Sequence, residues 1–295
     1  MKKKEIGILG LGSMGTAIAK HLKKKYKIYG YDIKKFNTLK SSKNFFFTKN
    51  LKEIFLKTNI FIVIVLDEDQ CETIFDNFID IKKRLKIKKN YTIINCTTVS
   101  PNWVKKTYKK LQKNNFEYID CPVSGGPKKA TNGKLSLMIS SKKNVYKKNL
   151  TLLQDMGSNI YNLGNKISTG STVKIINNSL AGIQIISAAE AIILAKKEKI
   201  NLKKIFKIIN NSSGHSWMFN DRGKRMIDKK YFKPLSRLSI FRKDMKLVNK
   251  LLKKHYLNLP LTKIALKIYE KGCREGLENF DDSAVIRLLD KRTDY

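Results

Sequence analysis

Three glycines near the start of the chain constrain its fold more than any other feature. A short apolar run, residues 5–9, leads into GLGSMG at residues 10–15, and a stretch rich in Ala, Ile and Lys follows. A second apolar run, residues 27–31, ends at Asp32. The order of strand, G-x-G-x-x-G turn, helix, strand and acidic residue is typical of a unit that binds a dinucleotide.

Each position of this glycine turn has a physical reason. Gly10 permits a tight turn, Gly12 lets the backbone approach a pyrophosphate, and Gly15 lets the helix pack closely on the strand. The N–H groups at the start of the helix, at Ser13 and Met14, attract the phosphates. The turn therefore predicts five cofactor-binding positions.

The residue at the end of the second strand indicates which cofactor is bound. Asp32 would accept hydrogen bonds from both ribose hydroxyls and would repel a 2′-phosphate, which favours NAD over NADP. Lys34 and Lys35 follow closely and weaken that preference. The predicted cofactor is NAD.

Strand-like and helix-like segments continue to alternate after this unit. Apolar runs at residues 60–66, 92–95, 116–120 and 135–139 predict strands, and Pro101 starts a helix between two of them. This alternation predicts a parallel, doubly wound sheet with helices on its faces.

The strand-like runs stop near residue 163, and the remaining sequence predicts helices. We therefore predict an α/β protein with a NAD-binding Rossmann domain in residues 1–163. An all-α domain for substrate binding and dimerisation follows in residues 164–295. Residues 170–199 contain no proline and are dominated by Ala, Ile, Leu and Lys, so they predict one long helix that joins the domains.

The middle of this long helix is apolar on nearly every side, which predicts burial by neighbours on several faces. Polar residues within it and its length argue against a membrane span. Lys174 and Asn178 lie four residues apart near its start, and so on one face. We expect this helix to present them as a catalytic pair to the cleft between the domains.

Ligands of doubly wound sheets bind at the carboxyl ends of the strands. The candidates there for cofactor contact are Leu66, Asp67, Thr97 and Thr98. An ordinary structural role in the loops explains these four residues equally well.

A rigid loop follows residue 120, in which two prolines bracket Ser124, Gly125 and Gly126. Backbone N–H groups and one hydroxyl in such a loop suit a carboxylate or another anion, although Gly and Pro also mark plain turns. Further along, Lys243 and Asp244 stand side by side. Such pairs are usually solvated charges on a helix surface.

Composition limits the class of protein. The formal net charge of +37 suits a partner with phosphates or an acidic surface. The lysines, however, are spread along the whole chain, which instead indicates the drift of an AT-rich genome, so we predict no specific nucleic-acid partner. The hydrophobic content of 42% is enough for folded cores and too high for a disordered chain.

The cysteines and the N-terminus indicate where the protein is located, and the histidines indicate whether it binds a metal. The four cysteines form no C-x-x-C pair, which indicates reduced, intracellular thiols. The three histidines are scattered, so we predict no metal site. The basic N-terminus is followed by an apolar run broken by glycines, without a clean cleavage site. We expect a soluble, cytoplasmic protein with no membrane partner.

Together these features resemble the β-hydroxyacid dehydrogenase family. Motifs of the family match in the same order: GLGSMG at 10–15, DCPVSGGPKKATNGKLSLMIS at 120–140, GSTVKIINN at 170–178 and KDMKLV at 243–248. Within the family, GSTVKII, AGIQIISAAEAIILA, GHSWMFNDR and DDSAVI look most like the NAD-dependent branch that oxidises four-carbon sugar acids such as L-threonate. The resemblance implies the same fold and a small hydroxyacid substrate.

The resemblance also implies a role for each site residue. Lys174 would be the general base that takes the C2 hydroxyl proton while hydride leaves for the nicotinamide. A lysine needs a lowered pKa for this role, and desolvation beside the cationic nicotinamide would lower it. Asn178 would hold the reacting oxygen or Lys174, and the Ser-Gly-Gly loop would bind the substrate carboxylate. Lys243 would close on the cofactor or substrate from the second domain.

Two departures from the family pattern affect this region. Ser168 stands where the family often has the first glycine of a G-x-G turn before the lysine helix, which changes turn flexibility and not chemistry. Asn177 and Asn178 follow the lysine, whereas threonate-type members can differ there, so the substrate stays open.

Other activities remain compatible with these residues. Related ones are reduction of tartronate semialdehyde and oxidation of 3-hydroxyisobutyrate. A protein of another class would bind NAD or nucleic acid without catalysis; the net charge motivates this alternative, and the intact Lys174 argues against it. The long apolar helix and the resemblance imply a homodimer or homotetramer.

Overall fold

The structure, a computed structural model, describes residues 3–34 and 41–290. Lys35 lies outside the described residues. The chain divides into two compact units, Met1–Lys174 and Ile175–Tyr295. This division falls inside the long helix, and the domain boundary after residue 163 stays a prediction.

The first unit alternates strands and helices. Its strands are β1 Glu5–Leu9, β2 Lys27–Tyr31, β3 Phe45–Thr48, β4 Ile60–Val63, β5 Tyr91–Asn95, β6 Phe116–Asp120, β7 Val123–Ser124, β8 Ser136–Ser141 and β9 Asn159–Asn162. Its helices are α1 Ser13–Leu22, α2 Leu51–Lys57, α3 Glu68–Arg84, α4 Pro101–Lys113, α5 Gly126–Thr131 and α6 Lys143–Met156.

These strands form one sheet in the order β3-β2-β1-β4-β5-β6-β8-β7, with β9 paired to β8. Strands β1 to β6 pair with one another in parallel, which confirms the prediction of a doubly wound Rossmann sheet. Strand β8 runs antiparallel to β6 and β7, so the sheet is mixed and not wholly parallel as the alternation predicted. The predicted strand at residues 60–66 ends at Val63.

Helices cover both faces of this sheet, which explains why its central strands are apolar throughout. Successive side chains of a strand point to opposite faces. Ile62 and Ile94 therefore belong to one buried core, while Phe61 and Ile93 belong to the other. A strand buried on both sides has no polar face, and this produces the continuous β-branched runs of the sequence.

The second unit is helical. The long helix α7, Thr169–Lys197, starts in the first unit and continues into the second. The other helices are α8 Leu202–Asn210, α9 Lys224–Ile227, α10 Leu238–Lys254, α11 Pro260–Arg274 and α12 Val285–Leu289. A π-helical turn at Phe219–Gly223 precedes α9, and a 3₁₀ turn at Asp282–Ala284 precedes α12. The predicted all-α second part and the long helix are confirmed.

Helix α7 is long and apolar enough to cross a membrane by length and composition alone. The expectation that it is too short and too interrupted for a span was therefore wrong. Half of its most apolar window is buried within the structure. Its inner face, which includes Ile185, Ala189 and Ile192, belongs to the hydrophobic core of the second unit.

Candidate active site

The glycine turn between β1 and α1 has the geometry of a dinucleotide cradle. Gly10 adopts φ +93°, and its N–H donates to the Tyr31 carbonyl at 2.9 Å. A Cβ on Gly10 would collide with the Ile64 carbonyl, and a Cβ on Gly15 would collide with the Gly10 carbonyl. A Cβ on Gly12, in contrast, would meet no atom within 4 Å. The turn is thus closed on the protein side and open where a pyrophosphate would lie.

Asp32 ties this turn to the end of β2. Its carboxylate accepts hydrogen bonds from the backbone N–H of Leu11 at 2.7 Å and of Lys34 at 2.9 Å. A carboxylate has about four acceptor positions, so two protein bonds leave capacity for ribose hydroxyls. The open space at Gly12, the helix start at Ser13 and Met14, and this carboxylate fit a nicotinamide dinucleotide.

The candidates on the neighbouring loops serve the structure of those loops. The Asp67 side chain accepts from the Gln70 N–H at 3.0 Å and caps α3. Thr97 is buried, and its hydroxyl accepts from the Val65 N–H at 3.1 Å, which joins the ends of β4 and β5.

Two more candidates lie on the same loops. Leu66 is half exposed, and its N–H donates to the Gln70 side chain at 3.1 Å. Thr98 is partly buried. Cofactor contact by Leu66, Asp67, Thr97 and Thr98 stays a prediction.

The loop of Ser124, Gly125 and Gly126 leaves the sheet at β7. Ser124 pairs with Ser136 of β8, and the two glycines that follow have φ +128° and +68°. Only glycine adopts such values easily, so the turn requires both. A Cβ on Gly126 would meet no atom within 4 Å, which leaves its backbone approachable.

Lys174 and Asn178 lie one turn apart on α7, as predicted. Both are buried, with 8% and 6% of their surface exposed. The Asn178 amide donates to the Asp244 carboxylate at 2.7 Å, and its oxygen accepts from the Asn177 amide at 3.1 Å. These two bonds fix which way the Asn178 amide points.

The Lys243–Asp244 pair is not the solvated surface pair that its sequence suggested. Asp244 is 4% exposed and lies 3.0 Å from the Lys243 ammonium, so its carboxylate links Lys243 to Asn178 within the second unit. The sequence contained a signal for this. Phe241, Asp244, Met245 and Val248 follow the i, i+3, i+4, i+7 pattern of the buried face of α10.

Sequence reasoning also missed Asp120, the last residue of β6. Asp120 is fully buried, and its carboxylate accepts from the Ser140 hydroxyl at 3.0 Å and from the Ser171 N–H and hydroxyl at 2.9 and 2.6 Å. Burial raises its pKa to about 6, and hydrogen bonds from Ser171, Ser140 and Ser168 limit the rise. Ser168 adopts φ +87°.

Comparison with known proteins agrees with the observed fold. Residues 5–164 match the model for the NAD binding domain of 6-phosphogluconate dehydrogenase. Residues 168–289 match that for the NAD-binding of NADP-dependent 3-hydroxyisobutyrate dehydrogenase. The two matches coincide with the Rossmann sheet and the helical part.

Relatives match over nearly the whole chain. The chain is 30% identical to the L-threonate dehydrogenase of Haemophilus influenzae, over 96% of this chain and 94% of that protein. It is 29% identical to the 2-(hydroxymethyl)glutarate dehydrogenase of Eubacterium barkeri, over 99% and 97%. The crystal structure of a 3-hydroxyisobutyrate dehydrogenase from Salmonella typhimurium superposes with a TM-score of 0.88 at 30% identity, over 97% and 99%.

The fold, the glycine turn and these matches define a nicotinamide-dependent dehydrogenase that acts on a CH–OH group. More particularly, the chain belongs to the β-hydroxyacid dehydrogenase family. Its substrate is therefore a small hydroxyacid. The relatives carry three different substrate names at nearly equal identity, so similarity alone does not choose among their substrates.

Proposed function

We propose that the protein oxidises L-threonate at its C2 hydroxyl to the 2-oxo acid, with NAD as the cofactor and Lys174 as the general acid/base. The observation that carries the proposal is the burial of Lys174 on α7, in a family whose members oxidise hydroxyacids. The choice of L-threonate is supported by the motifs of the chain and by the name of the Haemophilus influenzae relative.

When bound, the nicotinamide supplies the hydride acceptor. Lys174 takes the proton of the C2 hydroxyl, and in the reverse direction it returns that proton to the carbonyl oxygen. An amine accepts a proton only in its neutral form, and burial favours that form over the charged one.

The other candidates bind and orient the substrate. Ser124, Gly125 and Gly126 hold the substrate carboxylate through the hydroxyl and the approachable backbone of their loop. Asn178 holds the reacting oxygen or Lys174, with its amide oriented by Asp244. Lys243, fixed by its ion pair with Asp244, contributes positive charge toward the anionic substrate or the cofactor.

Asp32 supports NAD over NADP, because a 2′-phosphate would bring negative charge to an existing carboxylate. Lys34 lies two residues after it and reduces the difference. We further propose a cytoplasmic homodimer or homotetramer.

The decisive experiment is a hydride-transfer assay of the purified protein with a panel of hydroxyacids and both cofactors. We expect turnover of L-threonate with NAD. Turnover of 3-hydroxyisobutyrate, or reduction of tartronate semialdehyde, without turnover of any four-carbon acid would contradict the assignment of L-threonate as substrate. The assignment of the protein as a hydroxyacid dehydrogenase would stand.

The first prediction concerns Lys174. Lys174→Ala should lower kcat by at least about 1,000-fold, because it removes the proton acceptor. The dissociation constant for NADH, measured by fluorescence titration, should change less than about threefold. Lys166→Ala, which changes an exposed lysine before the same helix, is the matched control and should keep full activity. Substantial activity of Lys174→Ala would remove the proposed mechanism.

The net charge of +37 favours one alternative, a protein that binds nucleic acid without catalysis. Tight binding of duplex DNA at physiological salt, with no hydride transfer to any hydroxyacid, would establish it. Weak binding that disappears at that salt concentration is the expected result for dispersed lysines.

A further inference from the structure

We propose that Asp120 is a positioning residue for the reaction, because it fixes the first turn of α7 and thereby the place of Lys174. The proposal rests on the assignment of Lys174 as the general base. It also requires that the contacts of Asp120 with α7 hold the helix start in one place.

The Asp120 carboxylate binds the first turn of α7 directly. One oxygen accepts from the Ser171 N–H at 2.9 Å and the other accepts from the Ser171 hydroxyl at 2.6 Å. The Ser140 hydroxyl donates to the carboxylate at 3.0 Å and accepts from the Gly170 N–H at 3.2 Å.

These bonds replace an ordinary N-cap. The first N–H groups of a helix have no partner within the helix, and usually the residue just before the helix supplies one. Ser168 precedes α7 with φ +87°, outside the extended conformation of a usual N-cap. Asp120 supplies the acceptor instead, from a strand that ends 51 positions before Ser171. Its negative charge also suits the N-terminal end of a helix.

Close packing adds to the hydrogen bonds. A Cβ on Gly170 would collide with the Met138 carbonyl of β8, and it would lie 3.0 Å from an Asp120 carboxylate oxygen. The start of α7 thus rests directly on β6 and β8. Both the polar and the steric contacts hold the helix start against the sheet of the first unit.

This anchored turn carries Lys174. Lys174 follows Gly170 by four residues and Ser171 by three. It is therefore a neighbour of both on the helix surface. All these residues belong to the first unit, Met1–Lys174. Displacement of the first turn would displace Lys174 with it, and an error of about 1 Å in a catalytic group can cost about 100-fold in rate.

The test compares Asp120→Ala with Asp120→Asn in the full-length enzyme. Asp120→Ala should lower kcat per folded enzyme by about 100-fold, with a much smaller change in KM and in NADH affinity. The primary deuterium isotope effect at C2 should rise, because hydride and proton transfer become slower than product release. In Asp120→Asn the Ser171 hydroxyl can rotate to accept from the new amide, so kcat should recover to within about tenfold of wild type.

A matched control separates positioning from stability. The Lys82 ammonium, on α3, donates to the carbonyls of Asn114 and Asn115 at 3.2 and 2.7 Å, at the C-terminal end of α4. It therefore caps a helix of the same unit from another element, as Asp120 does. Lys82→Ala should lower Tm and leave kcat unchanged. If Asp120→Ala behaves in the same way, Asp120 is structural only and the proposal is wrong.

Ser171→Ala provides a second route if Asp120→Ala does not fold. It removes the hydroxyl bond and keeps the N–H bond, and kcat should fall about tenfold; an unchanged kcat overturns the proposal. Full activity of Lys174→Ala would instead refute the proposed function. Loss of activity in Lys174→Ala, with normal kcat in Asp120→Ala and Ser171→Ala, would refute the positioning role alone.

Discussion

The Asp32 carboxylate already accepts two hydrogen bonds within the protein, from the backbone N–H groups of Leu11 and Lys34. Leu11 belongs to the glycine turn, so the residue that we expect to bind the ribose also holds the turn in shape. Replacement of Asp32 should therefore affect cofactor choice and stability together.

We expect Asp32→Ala to lower the NAD-to-NADP ratio of kcat/KM by about 10- to 100-fold, because hydrogen bonds to a charged group contribute about 1.5–3 kcal/mol. Steady-state kinetics with both cofactors gives this ratio. Asp80→Ala, which changes an exposed carboxylate on α3, should leave the ratio unchanged. An unaltered ratio in Asp32→Ala would show that Asp32 does not choose the cofactor.

A second residue-scale prediction concerns Asp120 and pH. Burial raises its pKa from 3.8 to about 6, so ionisation between these values costs folding free energy. Each pKa unit corresponds to about 1.4 kcal/mol, which gives a total of about 3 kcal/mol. The contribution favours the folded state below pH 4 and is lost as pH rises through 6.

The pH effect is measured by urea unfolding of wild type and Asp120→Asn from pH 4.5 to 7. The stability of wild type relative to the variant should fall across this range. The neighbouring Tyr118 and Cys121 have pKa values raised well above their usual ones by burial, so both stay neutral there. A constant difference between the two proteins would mean that Asp120 does not titrate in this interval.

At the scale of elements, two glycines of the G-x-G-x-x-G motif meet different requirements, one for helix packing and one for ligand access. Gly15 allows α1 to approach the Gly10 carbonyl, whereas Gly12 faces open space. Gly12 has φ −61°, which any residue can adopt, so the fold does not need a glycine there. Packing requires Gly15, and we expect the bound dinucleotide to require Gly12.

The paired variants Gly12→Ala and Gly15→Ala test this separation. Gly12→Ala should leave Tm nearly unchanged and weaken NADH binding at least about tenfold, because the new methyl group occupies the pyrophosphate position. Gly15→Ala should lower the free energy of unfolding by about 2 kcal/mol or more through overpacking, and should weaken binding as well. Calorimetry and fluorescence titration give both quantities; equal Tm values for the two variants would contradict the assignment.

The sequence predicted the elements whose signals are local. The glycine turn, the buried strands and α7 each carry a continuous pattern, and β6 was predicted with its observed bounds, Phe116–Asp120. Strands β3 and β9 were missed, because four-residue strands at the margin of the sheet have weak periodicity. The antiparallel direction of β8 was missed too, because strand pairing depends on contacts distant in sequence.

The candidate site was only partly predictable for the same reason. Lys174 and Asn178 were predicted because they are close in sequence on one helix. The partners of this helix, Asp120 and Asp244, are 51 and 66 positions from the residues that they bind. No local pattern encodes such pairs, although the periodicity of α10 placed Asp244 on a buried face.

At the scale of the whole molecule, α7 has an uncovered face that carries three large apolar side chains and the exposed polar residues Ser187 and Glu190. Ile176, Leu180 and Leu194 are 59–64% exposed, and their spacing places them on one side of the helix. Such a face suits a second copy of the chain, in line with the proposed homodimer or homotetramer. Two copies with a net charge of +37 each repel one another, so apolar contact must exceed this repulsion.

We therefore expect self-association to strengthen with salt, because screening reduces the repulsion while apolar contacts remain. Sedimentation velocity measures the self-association at salt concentrations from about 50 to about 500 mM. Over this range the electrostatic screening length falls through about 10 Å. Leu180→Glu should shift the protein toward monomer. Leu56→Glu, at a half-exposed leucine of α2, is the matched control. Association that weakens with salt would point to a charged interface instead.

The bonds between Asp120 and Ser171 also bear on synthesis at the ribosome. Strands β1 to β9, as described in residues 3–34 and 41–290, have all been translated before the serine emerges. Until then the carboxylate at the end of β6 lacks its partners from α7. The nucleotide-binding half is therefore complete only when the next helix has begun. A fragment cut after residue 163 would carry an under-bonded acid in its core, whereas one that extends through Lys174 would not.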